Sequence, residues 1–174
     1  MNETLNRLKL LYQSWAKENV LDISPLAQSG SYRKYFRISG KEKTAIGVLN
    51  ADKKENRAFV TFTKHFFKKG LNVPRLFAQN LKENIYLIED LGDTTLFSLV
   101  EKEKTKAKLP NTIVDYYKDA LNHLIKFQID GGKGLDYSIC YPREKFDPCG
   151  ANFVILQVCP YSTFSFCPPD PKIE

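Results

Sequence analysis

Between Asp52 and Gly70 the sequence sets Phe59, Phe62 and Phe66 at spacings of three and four, and no other stretch restricts the fold so tightly. That period brings the three rings onto one side of an α-helix. Asp52 is an acceptor suited to the start of the helix. Lys68-Lys69 complement the dipole at its end, and Gly70 supplies the left-handed residue that stops it. The spacing predicts a helix from Asp52 to Lys69 with a buried aromatic stripe. Counting back one turn places Glu55 on the same side, where a carboxylate needs a cation.

A helix with one apolar stripe needs a surface to cover, and the flanking segments supply strands. Ala27-Gln28-Ser29-Gly30-Ser31 is a run of small and polar residues suited to a tight turn. Tyr32 to Ile38 follows as a hairpin arm with Arg33, Tyr35 and Arg37 on one face. Ser39-Gly40-Lys41-Glu42 is the next turn, Thr44 to Leu49 a nearly all-apolar strand, and Val73-Pro74 restarts extended chain. Ile85 to Ile88 is a compact strand that stops at Glu89-Asp90-Leu91-Gly92. Ahead of these, Leu5, Leu8, Tyr12 and Trp15 have the spacing of an amphipathic helix. Behind them, Asp93 or Thr94 is expected to cap a helix reaching Thr105. Asn111 is expected to cap another through Ile113, Tyr117, Ala120, Leu121, Leu124 and Phe127, ended by Gly131-Gly132. This order predicts an α+β fold, an antiparallel sheet with helices to one side.

Composition narrows the function classes. A chain of 174 residues, 43% apolar and 26% charged, has enough apolar surface for a folded core. The net charge of +6 is spread along the chain and interleaved with acids, as in Glu101-Lys102-Glu103-Lys104, which is a solvated surface rather than a nucleic-acid face. The N-terminus lacks a secretory pattern. The most apolar run, Phe153 to Cys167, is too short for a bilayer and is broken by Pro160, so no membrane association and a cytoplasmic location are expected. The four cysteines have no C-x-x-C spacing and both histidines, His65 and His123, lie far from them, so neither zinc nor a disulfide framework is signalled.

Three segments in order carry a resemblance: Ser29-Gly30-Ser31-Tyr32-Arg33-Lys34-Tyr35-Phe36-Arg37-Ile38, Glu55-Asn56-Arg57-Ala58-Phe59, and Tyr86-Leu87-Ile88-Glu89-Asp90-Leu91-Gly92-Asp93-Thr94-Thr95-Leu96. Over residues 5–148 the chain resembles the aminoglycoside phosphotransferase family, and within it the bacterial cell-wall-recycling sugar kinases that act on N-acetylmuramate or N-acetylglucosamine. The resemblance implies a protein-kinase-like N-lobe, an antiparallel sheet plus helix, over residues 1–92. It implies the first helices of a truncated C-lobe over 93–148, with ATP between the lobes and magnesium as cofactor. Ser29, Gly30 and Ser31 would let backbone N–H groups approach the triphosphate. Glu55 would be the helix acid that pairs with a phosphate-holding cation. The strand from Thr44 to Leu49 contains no lysine, so Arg37 is the expected partner. The backbone at Glu89 and Leu91 would meet the adenine edge.

Other features run against a complete enzyme. The family's His-x-Asp-x-x-x-x-Asn segment, which supplies the catalytic Asp and a magnesium ligand, has no counterpart, since neither His65 nor His123 is followed by Asp two residues on. This chain is therefore expected to hold no catalytic residue and no magnesium ligand. Gly131-Gly132-Lys133-Gly134 follows a helix and lacks the Ser or Thr of a phosphate loop. From Cys149 to Pro169 there is no Asp, Glu, Lys or Arg, and this stretch holds three of the four cysteines. Residues 149–174 are expected to come from a shifted reading frame or to be disordered. The expectation is an inactive fragment of an ATP-dependent phosphotransferase whose parent takes a nucleotide and a sugar acceptor. The alternative is a non-catalytic nucleotide- or partner-binding module.

Overall fold

The structure, a computed structural model, describes residues 2–27, 32–103 and 110–141. Helix α1 (Asn2–Ala16) precedes strands β1 (Asp22–Pro25), β2 (Lys34–Ser39) and β3 (Thr44–Leu49). Helix α2 (Lys53–Lys68) leads to β4 (Leu76–Asn80) and β5 (Ile85–Ile88), and α3 (Leu96–Glu103), α4 (Asn111–Ile129) and a 3-10 turn (Tyr137–Ile139) follow. The strands form one antiparallel sheet in the order β1-β2-β3-β5-β4. This is an α+β fold with the architecture of a kinase-like N-lobe.

Alternation along the strands sorts the core into two layers. Phe36, Ile38, Ala45, Ile85 and Leu87 point to one face and pack with Leu8, Tyr12 and Ala16 of α1. Tyr35, Ile46, Val48, Tyr86 and Ile88 point to the other and pack with Phe59 and Val60 of α2. Helices thus cover both faces, which corrects the expectation of helices to one side. The physical reason lies in the central strands. All four residues of β5 and four consecutive residues of β3 are buried, and a strand apolar on both faces needs cover on both.

The α2 segment matches its sequence pattern closely. The Asp52 carboxylate accepts from the amides of Lys54 and Glu55, and Gly70 is left-handed at φ 72. Phe59, Phe62 and Phe66 are all buried. Two other caps differ from expectation. Helix α3 is capped by Thr95, not Asp93 or Thr94, through reciprocal bonds in which Ser98 N donates to Thr95 Oγ1 and Thr95 N to Ser98 Oγ. Pro110, not Asn111, precedes α4, with no side-chain cap. Helix α4 buries Ile113 and packs Phe127 beside Phe66 and Leu71, while Val114, Leu121, Ile125 and Ile129 stay exposed. The anomalous stretch 149–174 lies outside the described residues.

Glu18 ties α1 to the β2–β3 turn. Its carboxylate accepts from Tyr12 Oη at 2.7 Å and from the amides of Glu42 and Lys43, each at 3.0 Å. A Cβ at Gly40 would meet that carboxylate and the Tyr12 hydroxyl, so a larger residue there would have to displace the Glu18 contact. The Tyr12 hydrogen bond, countered by desolvation and reinforced by the two amides, holds the Glu18 carboxyl below its ordinary 4.5. A folded-state value below the unfolded one gives stability that is present above the unfolded value and lost as pH falls through the lowered one. Glu18→Gln is therefore expected to lower the thermal midpoint at neutral pH, with the gap to the wild type closing below pH 4.5. Midpoints measured across that range check it.

Candidate functional site

The α2 face of the sheet carries the charged groups that the sequence singled out. Arg33 lies one residue before β2, and its side chain is only 4% exposed. Its guanidinium sits 4.9 Å from the centre of the Phe59 ring, and Nη2 meets Glu55 Oε1 at 2.8 Å. Helix α2 holds Glu55 in place through its start. Asn50 Nδ2 donates to Glu55 Oε2 at 2.6 Å, and Asn50 Oδ1 accepts from the Asp52 amide. Asn56 Nδ2 in turn donates to the Asn50 carbonyl, fixing the bend between β3 and α2.

Glu55 therefore pairs with Arg33, and the expected pairing with Arg37 is corrected. Burial alone would lower the Arg33 guanidinium. The electrostatic pull of Tyr86, Tyr35 and Glu55 outweighs it and holds the group above its ordinary value. Burial likewise pushes the Tyr86 phenol above its ordinary 10. The Tyr86 hydroxyl is buried without a hydrogen-bond partner among the described residues.

Arg37 is engaged elsewhere on the same face. It stands opposite Ile46 on β3, which stands opposite Ile88 on β5, and its guanidinium crosses to the segment just beyond Ile88. Nε and Nη2 donate to Asp90 at 2.7 and 3.0 Å, while Nη1 and Nη2 donate to Asp93 at 3.0 and 2.8 Å. Hydrogen bonding from Arg37 holds the Asp93 carboxyl below its ordinary 3.8. The pair Asp90 and Asp93 was not singled out as a partner from sequence. The available signal was two acids flanking Leu91-Gly92 at the end of an apolar strand.

The segment from Glu89 to Leu91 leaves the sheet at this point. Glu89 N donates to the Arg75 carbonyl, and Glu89 Oε2 accepts from Arg75 N at 3.1 Å. The Leu91 side chain is exposed. Among the described residues, no backbone hydrogen bond outside the helices and strands uses the Glu89 carbonyl or the Leu91 amide. Ser29, Gly30 and Ser31 lie outside the described residues.

Both histidines make hydrogen bonds within the fold. His65 Nε2 meets the Gly131 carbonyl at 2.8 Å, and His123 lies against Asp119 O and Asn72 Nδ2. Among the described residues no group of three or more His, Cys, Asp or Glu is placed to hold a metal ion. No helix among them is long and apolar enough to cross a membrane.

No protein-family model matches the chain. It is 27% identical over 118 residues to an N-acetylmuramate/N-acetylglucosamine kinase of Pseudomonas aeruginosa, a match covering 67% of this chain and 32% of the relative. It is 25% identical over 129 residues to the protein of the same name from Pseudomonas putida, covering 74% of this chain and 35% of the relative. The chain thus spans about one third of the length of the curated relatives it matches. This distant likeness supports a relationship to sugar kinases.

Proposed function

We propose that this chain is the nucleotide-holding part of an ATP- and magnesium-dependent phosphotransferase of the aminoglycoside phosphotransferase type. The parent protein would act on an amino sugar such as N-acetylmuramate or N-acetylglucosamine. Residues 1–92 form the nucleotide lobe in this reading, and residues 93–148 begin the helical lobe. The exposed stripe of Val114, Leu121, Ile125 and Ile129 on α4 is the surface against which the rest of a helical lobe would pack.

The observation that carries the reading is the Arg33–Glu55 pair at 2.8 Å, joining the start of β2 to α2. A cation oriented by a helix carboxylate, on the sheet face that α2 covers, is what this fold uses to hold nucleotide phosphates. Here the cation comes from the start of β2 rather than from β3. The fit extends to two further features. Tyr86 adds a buried hydroxyl, unpartnered among the described residues, that interacts electrostatically with Arg33. The Glu89 carbonyl and Leu91 amide offer an acceptor and a donor for an adenine edge. The described residues bring no set of acids together that would hold magnesium.

ATP, when bound, supplies the phosphoryl group. The chain's own residues bind and orient it. Arg33 would draw the phosphates toward the start of β2, Glu55 would keep the guanidinium aimed, and the Glu89–Leu91 backbone would fix the base. Titrating the full 174-residue chain with ATP and, separately, with adenosine tests this. Saturable binding of both is expected, with ATP the tighter because only ATP reaches the arginine. Absence of saturable binding for either compound would overturn the reading.

A further inference from the structure

We propose that Arg37 is a positioning residue that clamps the segment between β5 and α3 through Asp90 and Asp93, and that it does not contact the nucleotide. The inference rests on the nucleotide-binding reading only for what the clamp positions; the clamp itself stands on its four hydrogen bonds.

A guanidinium offers five N–H donors in a planar fork suited to carboxylates. Four contacts of 2.7 to 3.0 Å go to two carboxylates, Asp90 and Asp93. Both forks of the group are filled, so it has little left to offer a phosphate. The two acids also outnumber the arginine, which leaves the cluster with a net negative charge that would repel a triphosphate.

The same contacts bracket the turn that redirects the chain. Asp90 Oδ1 also accepts from Gly92 N at 2.9 Å, and Gly92 is left-handed at φ 77. Asp93 lies two residues before the Thr95–Ser98 box that starts α3. Arg37 therefore holds the segment immediately after the proposed adenine edge, linking β2 to the first helix beyond the sheet. Release of the clamp would free the direction of the Glu89–Leu91 backbone and of α3 together.

The test uses the full chain as wild type, Arg37→Lys and Asp93→Asn. Lysine keeps the charge but cannot reach both carboxylates with a fork, and Asp93→Asn leaves Arg37 intact. Amide hydrogen exchange at Gly92 and Thr95 is expected to quicken about tenfold in both variants. Exchange at Val48, Phe59 and Phe62 should stay as in the wild type. Affinity for ATP and for adenosine should fall by the same factor, since a displaced base edge affects both ligands alike. If Arg37→Lys weakens ATP and spares adenosine, Arg37 is a phosphate contact and the proposal is wrong. Unchanged exchange at Gly92 and Thr95 in both variants would overturn the clamp. If the wild type binds neither compound, the phosphotransferase reading fails, while the exchange result still decides the clamp.

Discussion

Phe62→Ala is expected to destabilise the chain by about 4 kcal/mol, because it removes a fully buried ring from the centre of the α2 packing. Phe62 lies in one cluster with Ala58, Phe66, Val73 and Leu135, and its ring centre is 6.3 Å from that of Phe66. Phe66 and Ala58 beside it are themselves buried, so collapse can refill the gap only in part. Phe67, the next residue on the helix after Phe66, is 53% exposed, and Phe67→Ala should change stability by less than about 0.5 kcal/mol. Chemical denaturation of the two variants checks both the size and the contrast. A similar loss in both would mean that the aromatic stripe does not define the buried side of α2.

Glu55→Ala should be almost as damaging, at about 3 kcal/mol, for a different reason. It leaves the Arg33 guanidinium buried without its carboxylate, and breaking a buried pair from one side costs more than the pair contributes. It also strips the acceptor from Asn50 Nδ2 at the β3–α2 bend. The double variant Arg33→Met with Glu55→Leu removes both charges and keeps apolar volume against Phe59. It should be more stable than Glu55→Ala alone. Urea midpoints of the three proteins decide this. A double variant as unstable as the single one would show that the cost comes from lost packing rather than from a stranded charge.

The parts of this fold that were legible in the sequence are those set by local chemistry. The stripe, the Asp52 cap and Gly70 defined α2 to within a residue, because each acts within one turn of the helix. The strands Thr44–Leu49 and Ile85–Ile88 were legible from apolar runs with turn residues beside them. Coverage of the sheet on both faces was written in those same runs, since neither strand alternates. The helix that covers the second face, α1, lies far from those runs in sequence, so no local pattern points to it. Glu55 was identified as an acid in need of a cation, but its partner was not. Arg33 and Arg37 share a strand face, and a period of two cannot tell them apart. What separates them is where α2 begins relative to β2 and where the chain turns after Ile88, and both are tertiary facts. The Arg37 contacts to Asp90 and Asp93 join residues more than fifty positions apart, beyond any pattern of local spacing.

In the proposed function Arg33, oriented by Glu55, holds the phosphates of a nucleotide. The most direct measurement is the affinity of the full chain for ATP relative to adenosine, in the wild type and in Arg33→Met, with exchange protection in α2 confirming that the variant is folded. Arg33→Met is expected to lose at least about tenfold in ATP affinity, or roughly 1.4 kcal/mol, while adenosine binds as before. Equal ATP affinity in the two folded proteins would contradict it.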